Sequence, residues 1–260
     1  MKRKEKYKKS IWKRLVQLVF WVVISVFVLV FFISGGLFTS FQFDSLRKPL
    51  VNQAVGFANN FLIAKIELED LRLYSLKNIE LEGLRLITGE DTLANIKTAQ
   101  ISLKPSSFFG DRYKIDRVKL SGAKIKLTRS RSDSVWNYMK IAPPAKKKEK
   151  RDPPKISYVI KDFILKDAEF IFVDSVMAKS FSENTKRFDP AFFKLSKLNL
   201  EIDSKIVPYK NKYKIQIEKL TASEERTGFN LENFESDTSI TEEKFQIASL
   251  NIKTASSDID

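Results

Sequence analysis

The chain contains no histidine and no cysteine in 260 residues, so disulfides, zinc sites, thiolate nucleophiles and imidazole acid–base chemistry are unavailable to it. Catalysis would have to run on carboxylates, lysine, tyrosine or serine. Acids are plentiful, but Glu67, Glu69, Glu80, Glu82, Glu201 and Glu218 fall on the polar positions of alternating stretches, where a solvated face accounts for them. No Walker A segment, G-x-G-x-x-G, G-x-S-x-G or EF-hand loop occurs. The reading is therefore of a protein that is not an enzyme and needs no cofactor. The residues whose spacing carries information are apolar. Residues 66–73 read apolar, any, apolar, any, any, apolar, any, apolar, and the spacing recurs: Ile66/Leu68/Leu71/Leu73, Ile79/Leu81/Leu84/Leu86, Tyr158/Ile160/Phe163/Leu165 and Phe245/Ile247/Leu250/Ile252. On a helix these positions scatter around the circumference; on a strand each half points one way, and one extra residue restores the face after the slip. Such strands, apolar on one side and charged on the other, offer a surface for something greasy.

Composition allows this. At 43% hydrophobic and 12% aromatic the chain is not generally disordered and can bury a core. The net charge of +14 invites a nucleic-acid reading, but it is concentrated: residues 1–14 carry +7 and residues 146–155 carry +4. A nucleic-acid module needs a basic face across its folded part, so no nucleic-acid partner is expected.

From Leu15 to Ile33 run nineteen uncharged residues, close to the length that crosses the hydrocarbon core, and Leu15, Val19, Trp21, Val26 and Phe31 represent its apolar surface. The preceding Lys2, Arg3, Lys4, Lys6, Lys8, Lys9, Lys13 and Arg14 orient it by the positive-inside rule, with the N-terminus cytoplasmic and the remainder exported. The alternative is a cleaved signal peptide, for which the apolar run is long and Ser34-Gly35-Gly36 a poor cleavage site.

Six segments follow from these patterns: a basic cytoplasmic tail (1–14), a transmembrane anchor (15–34), an amphipathic capping helix (44–63), a first β segment (65–141), a disordered Pro/Lys tether (142–155) and a second β segment (156–260). In the helix, Leu46, Leu50, Ala54, Ala58 and Phe61 form a stripe, and Pro49 suits a first turn, placing the start of regular helix near it. Strands are expected near 65–74, 77–88, 93–104, 112–121 and 123–130, with Gly83 and Ser121-Gly122 read as turns. After the tether they resume at 156–160 and 168–173, then near 195–206, 212–221, 228–235, 238–241 and 244–254. A sandwich or barrel would bury the apolar positions as core. What favours an open face is monotony: the one-sided pattern continues for nearly two hundred residues with a single convincing helix to cover it.

The ordered series Leu71-Arg72-Leu73, Ile79-Glu80-Leu81, Asp91-Thr92-Leu93-Ala94, Ile101-Ser102-Leu103-Lys104, Ile115 through Leu127 and Asp133-Ser134-Val135-Trp136-Asn137-Tyr138, behind a basic tail and one span, resembles the AsmA-like superfamily and within it the TamB-like translocation and assembly module proteins. Thr227-Gly228-Phe229-Asn230-Leu231 and Leu250 through Ile259 are similar to a following repeat, and the Pro/Lys tether falls where such proteins carry an insertion. The resemblance implies a mainly β fold: a long twisted antiparallel sheet forming an open repeating β-groove, anchored in the bacterial inner membrane and reaching through the periplasm. It implies phospholipid as the passenger and an Omp85-type outer-membrane barrel as partner. The groove lining would comprise Ile66, Leu68, Leu71, Leu73, Ile79, Leu81, Leu84 and Leu86, then Ile101, Leu103, Val118, Leu120, Ile125 and Leu127, then Tyr158, Ile160, Phe163 and Leu165. The second reading is an envelope scaffold that assembles outer-membrane proteins through its sheet edge. The pattern running to Asp260 without a cap leads to the expectation of an N-terminal portion of a longer protein.

Overall fold

The computed structural model describes residues 44–75, 77–104, 112–141, 157–177, 187–207, 212–241 and 244–259. The expected tail, anchor and tether lie outside them. Among the described residues no helix is long and apolar enough to cross a membrane.

Among the described residues one α-helix, α1 (Asp44–Asn59), precedes eleven strands: β1 (Lys65–Glu67), β2 (Asp70–Leu73), β3 (Asn78–Thr88), β4 (Asp91–Leu103), β5 (Arg112–Arg129), β6 (Ser157–Asp174), β7 (Phe192–Val207), β8 (Lys212–Glu224), β9 (Phe229–Ile240), β10 (Phe245–Thr254) and β11 (Asp258–Ile259), with a 3-10 turn at Asn137–Lys140. All eleven strands belong to one sheet, ordered as in the chain, with β1 and β2 both paired to β3. They act as one edge strand broken at Leu68-Glu69, the site of the slip between Ile66/Leu68 and Leu71/Leu73.

The all-antiparallel expectation needs one correction: β5 and β6 run parallel, from Arg112↔Ser157 to Arg129↔Asp174. Neighbours joined by tight turns must be antiparallel, and a parallel pair requires a crossover of a dozen or more residues. The chain between Arg129 and Ser157 is long enough to return to the starting end of β5. Its first part is held in place. Asn137 is buried, its Oδ1 accepts the Thr128 N–H (3.1 Å) and its Nδ2 donates to the Lys126 carbonyl (2.7 Å), so the side chain substitutes for a strand on β5. Asn59, the last residue of α1, does the same for β1, donating to the Ile66 carbonyl (3.0 Å) and accepting its N–H (2.6 Å). The two ends meet where Ile63 and Ala64 both donate to the Ile141 carbonyl.

Helix α1 begins at Asp44, five residues ahead of Pro49. A proline at the sixth position forfeits the bond to the Ser45 carbonyl and crowds that carbonyl, a cost confined to the helix's first turns. The first turn is held by Arg47, buried and paired with Asp70 of β2 through Nε (2.9 Å) and a second nitrogen (3.0 Å), and with Asp44 (2.7 Å). Val51 packs in one apolar cluster with Leu71, Leu73, Ile79, Leu81 and Ile101. Ala58 joins a second, with Ile66, Leu86, Leu93 and Ile141. Phe61 lies past the helix, exposed and edge-on to Phe57.

Gly83 and Gly122 are not turns. Both lie inside unbroken strands at left-handed φ (63° and 60°), so 112–121 and 123–130 are one strand, as are 156–160 and 168–173. Glycine takes this conformation without a Cβ penalty. At Gly83 a Cβ would in addition displace the end of the exposed Glu69 side chain.

Candidate functional site

The ladder registers place the apolar residues in rows that run across the strands. One row reads Leu73, Ile79, Ile101, Val118, Phe163, Ile202 and Ile217, each paired with the next over seven successive strands. A second, Leu71–Leu81–Ala99–Leu120–Leu165–Leu200–Leu220, lies one pleat away. A third, Ile66–Leu86–Ala94–Ile125–Phe170–Leu195, lies beyond the slip, with Leu127 beside Phe172 and Phe193. The side-chain period of two, together with the one-residue slip between the second row and the third, puts all of these on one face. Leu68 and Leu84 pack with the same face. Leu103, Ile115 and Ile160 form a shorter row at its margin. Tyr158 pairs with Tyr113 in the backbone ladder. At about 4.8 Å per strand the ten-strand path extends roughly 45 Å.

The opposite face is charged. Arg72–Glu82, Arg85–Glu67, Lys124–Glu169, Lys194–Glu169, Arg117–Asp162 and Lys214–Asp237 pair across neighbouring strands. Exposed pairs of this kind contribute little individually; their consequence is that the outer face stays wet. Burial pushes the Glu169 carboxyl up, and Lys124 and Lys194 outweigh it, leaving it below the ordinary carboxylate range. Asp91 is held low in the same way, burial opposing the Thr128 hydroxyl and Lys126.

Burial along the rows is graded. Beside α1 the face is closed, Leu71 being 0% exposed and Ile79 and Leu81 2% exposed; Ile66, Leu73 and Leu86 are also buried, as are Ile101, Leu103, Val118 and Leu165 on the following strands. Leu120, Ile125, Leu127, Ile160 and Phe163 are half-buried, and the half-buried lining continues through Phe170, Leu198, Leu200, Ile202 and Ile217. At β10 the face is open, with Ile247 47% exposed. Aromatic rings edge the face where β5 and β6 end, Trp136 on Phe172 (5.1 Å between centroids) and Phe172 on Phe193 (5.0 Å).

The lining beyond β6 was not named from the sequence. Phe170-Ile171-Phe172-Val173 is apolar at every position, so alternation could not say which residues share the face of Ile125 and Leu127. The pairings Ile125↔Phe170 and Leu127↔Phe172 decide it. Ile171 lies opposite Lys126 and Lys194, on the outer face.

Among the described residues no group of three or more acidic side chains could hold a metal ion. No family model and no curated protein matches the chain.

Proposed function

We propose that this protein is an inner-membrane-anchored periplasmic protein of the AsmA/TamB-like kind, whose apolar trough carries phospholipid tails between the inner and outer membranes. The observation that carries this reading is the unbroken apolar row from Leu73 to Ile217, perpendicular to the strands, with one α-helix among the described residues, packed on the first strands. An acyl chain needs a continuous path out of water while its headgroup stays wet. Strands alternating apolar and charged provide both without any catalytic group. The resemblance supplies the compartment, the anchor and the Omp85-type partner.

The grading of burial favours some parts of the face over others for such a passenger. At Leu71, Ile79 and Leu81 close packing under α1 leaves no room for a chain. The path proposed for the passenger therefore follows the half-buried lining, from Leu120, Ile125 and Phe163 to Ile202 and Ile217. A photo-crosslinking residue at Ile125, Phe163 or Ile202 is expected to capture phospholipid in cells, and one at Lys119 or Lys161 on the outer face, or at buried Leu81, is not. Protein adducts in place of lipid at the three trough positions would put the envelope-scaffold reading ahead.

A further inference from the structure

The slips in the individual strands fall on one line. Gly83 lies opposite Lys97, between the pairs Glu82↔Thr98 and Leu84↔Ile96, and Gly122 lies opposite the same Lys97 from the other side. Next, between Ser121↔Lys166 and Lys124↔Glu169, Gly122 faces Asp167, which has φ 49°. Then, between Ala168↔Leu198 and Phe170↔Leu195, comes Lys197 with φ 50°. Left-handed residues thus cross β3, β5, β6 and β7 in a line along the rows, and a strand carrying such an irregularity bends there. The line is a crease. It also keeps the lining on one face, since Leu120/Ala123, Leu165/Ala168 and Leu195/Leu198 all step by three across it.

Glycine provides the conformation in β3 and β5, but β6 and β7 have Asp and Lys. At this point one side chain ties three strands together. Asn199 Oδ1 accepts the Asp167 N–H (3.0 Å), and Asn199 Nδ2 donates to the Lys197 carbonyl (3.0 Å) and to Thr221 Oγ1 of β8 (3.2 Å). The register shifts on both sides of β7, at Leu165/Ala168 and at Ser196/Asn199, lie beside this amide. An amide meets both needs: the Lys197 carbonyl takes a donor and the Asp167 N–H an acceptor, whereas a carboxylate has no proton to give the carbonyl.

We propose that Asn199 is a positioning residue for the trough, holding the crease through β6–β8 where glycine no longer supplies it and thereby setting the trough's cross-section. This rests on the trough being the lipid path. Without the crease, the one-residue step would be lost and Phe170, Phe172 and Leu195 would turn toward the outer face.

The test has two independent readouts on the full chain. The absence of cysteine allows specific spin labels at Lys161→Cys and Val176→Cys, on either side of Asp167 in β6. Asn199→Leu is expected to lengthen that distance and to lower uptake of a fluorescent phosphatidylethanolamine from vesicles several-fold. Adding Lys197→Gly, which takes the left-handed conformation unaided, is expected to restore both. Because Asn199→Leu alone could fail to fold, Lys197→Gly and the double variant are compared in parallel. An unchanged distance in folded Asn199→Leu, or in the double variant a loss that glycine does not repair, overturns the proposal. Wild-type protein that takes up no probe while the distances shift as expected overturns the lipid reading and leaves the crease standing.

Discussion

Lys197 occupies a left-handed φ in the middle of β7, a conformation that costs an L residue about 1–2 kcal/mol. Replacing it by glycine removes that cost and adds unfolded-state freedom worth about 0.5–1 kcal/mol. Lys197→Gly is therefore expected to stabilise the sheet by about 0.5–1 kcal/mol in denaturant unfolding. Asp167→Gly should gain less, because aspartate tolerates this region better; a destabilised Lys197→Gly would mean the lysine side chain contributes something the backbone does not explain. Glu224 presents a titration at the same scale. Burial pushes its carboxyl up, but the hydroxyl and N–H of Thr227 (2.6 and 2.7 Å) and the charge of Arg226 outweigh that and hold it below its ordinary value of 4.5. A group whose folded pKa is depressed contributes stability above its unfolded value and loses it as pH falls through the folded one. Stability should thus decline below about pH 4.5, and Glu224→Gln should be flatter there; equal pH slopes would show that the turn at 225–228 does not depend on the charge.

The two edges of the sheet differ as elements. The β1/β2 edge is short, broken at Leu68-Glu69, charged at Lys65, Glu67, Asp70 and Arg72, and clamped at Ile66 by Asn59. β10 carries one charge in ten residues, Lys253, and β11 pairs only with Ile252 and Lys253. Phe245 through Leu250 therefore present backbone groups with no strand beyond them among the described residues. Amide exchange should show this: the β10 amides pointing away from β9 exchange fast, while those of β4 and β5, paired on both sides, are the slowest. Uniform protection of β10 would mean that another strand covers it. Much at this scale was legible in the sequence. The step of three between Leu81 and Leu84, or between Phe163 and the residues before it, marked kinked one-sided strands because period two is a local property. The joins were less legible. Gly122 reads equally as a turn or as a left-handed residue inside a strand, and only its partners Lys97 and Asp167 distinguish them. The parallel β5–β6 pair depends on where residues 130–156 return, which no local pattern encodes.

For the whole molecule, the sequence indicated which residues share a face and could not indicate how deeply each is covered. Leu81 and Ile160 have the same place in the repeated spacing, yet one is buried in the cluster that α1 joins and the other is half-buried, because coverage depends on what packs over each strand and not on the local pattern. This division decides where a passenger could be stopped. Ile202 is half-buried in the middle of the row, between Phe163 and Ile217, so a side chain there would meet the proposed passenger without being locked into the packed clusters. A carboxylate at this point is costly to desolvate among apolar neighbours and draws water into the path. If each tail must pass it, a barrier of ~1.4 kcal/mol or more slows passage about tenfold. Ile202→Asp is therefore expected to reduce transfer of fluorescent phospholipid from donor to acceptor vesicles by about tenfold, while Ile202→Ala changes it little and Lys119→Asp on the outer face not at all. Lowering the pH until the new carboxyl is protonated should recover part of the Ile202→Asp rate relative to Ile202→Ala, an effect that misfolding would not produce. A folded Ile202→Asp protein that transfers lipid at the wild-type rate would show that tails do not pass along this row, and would leave the trough as a packing surface.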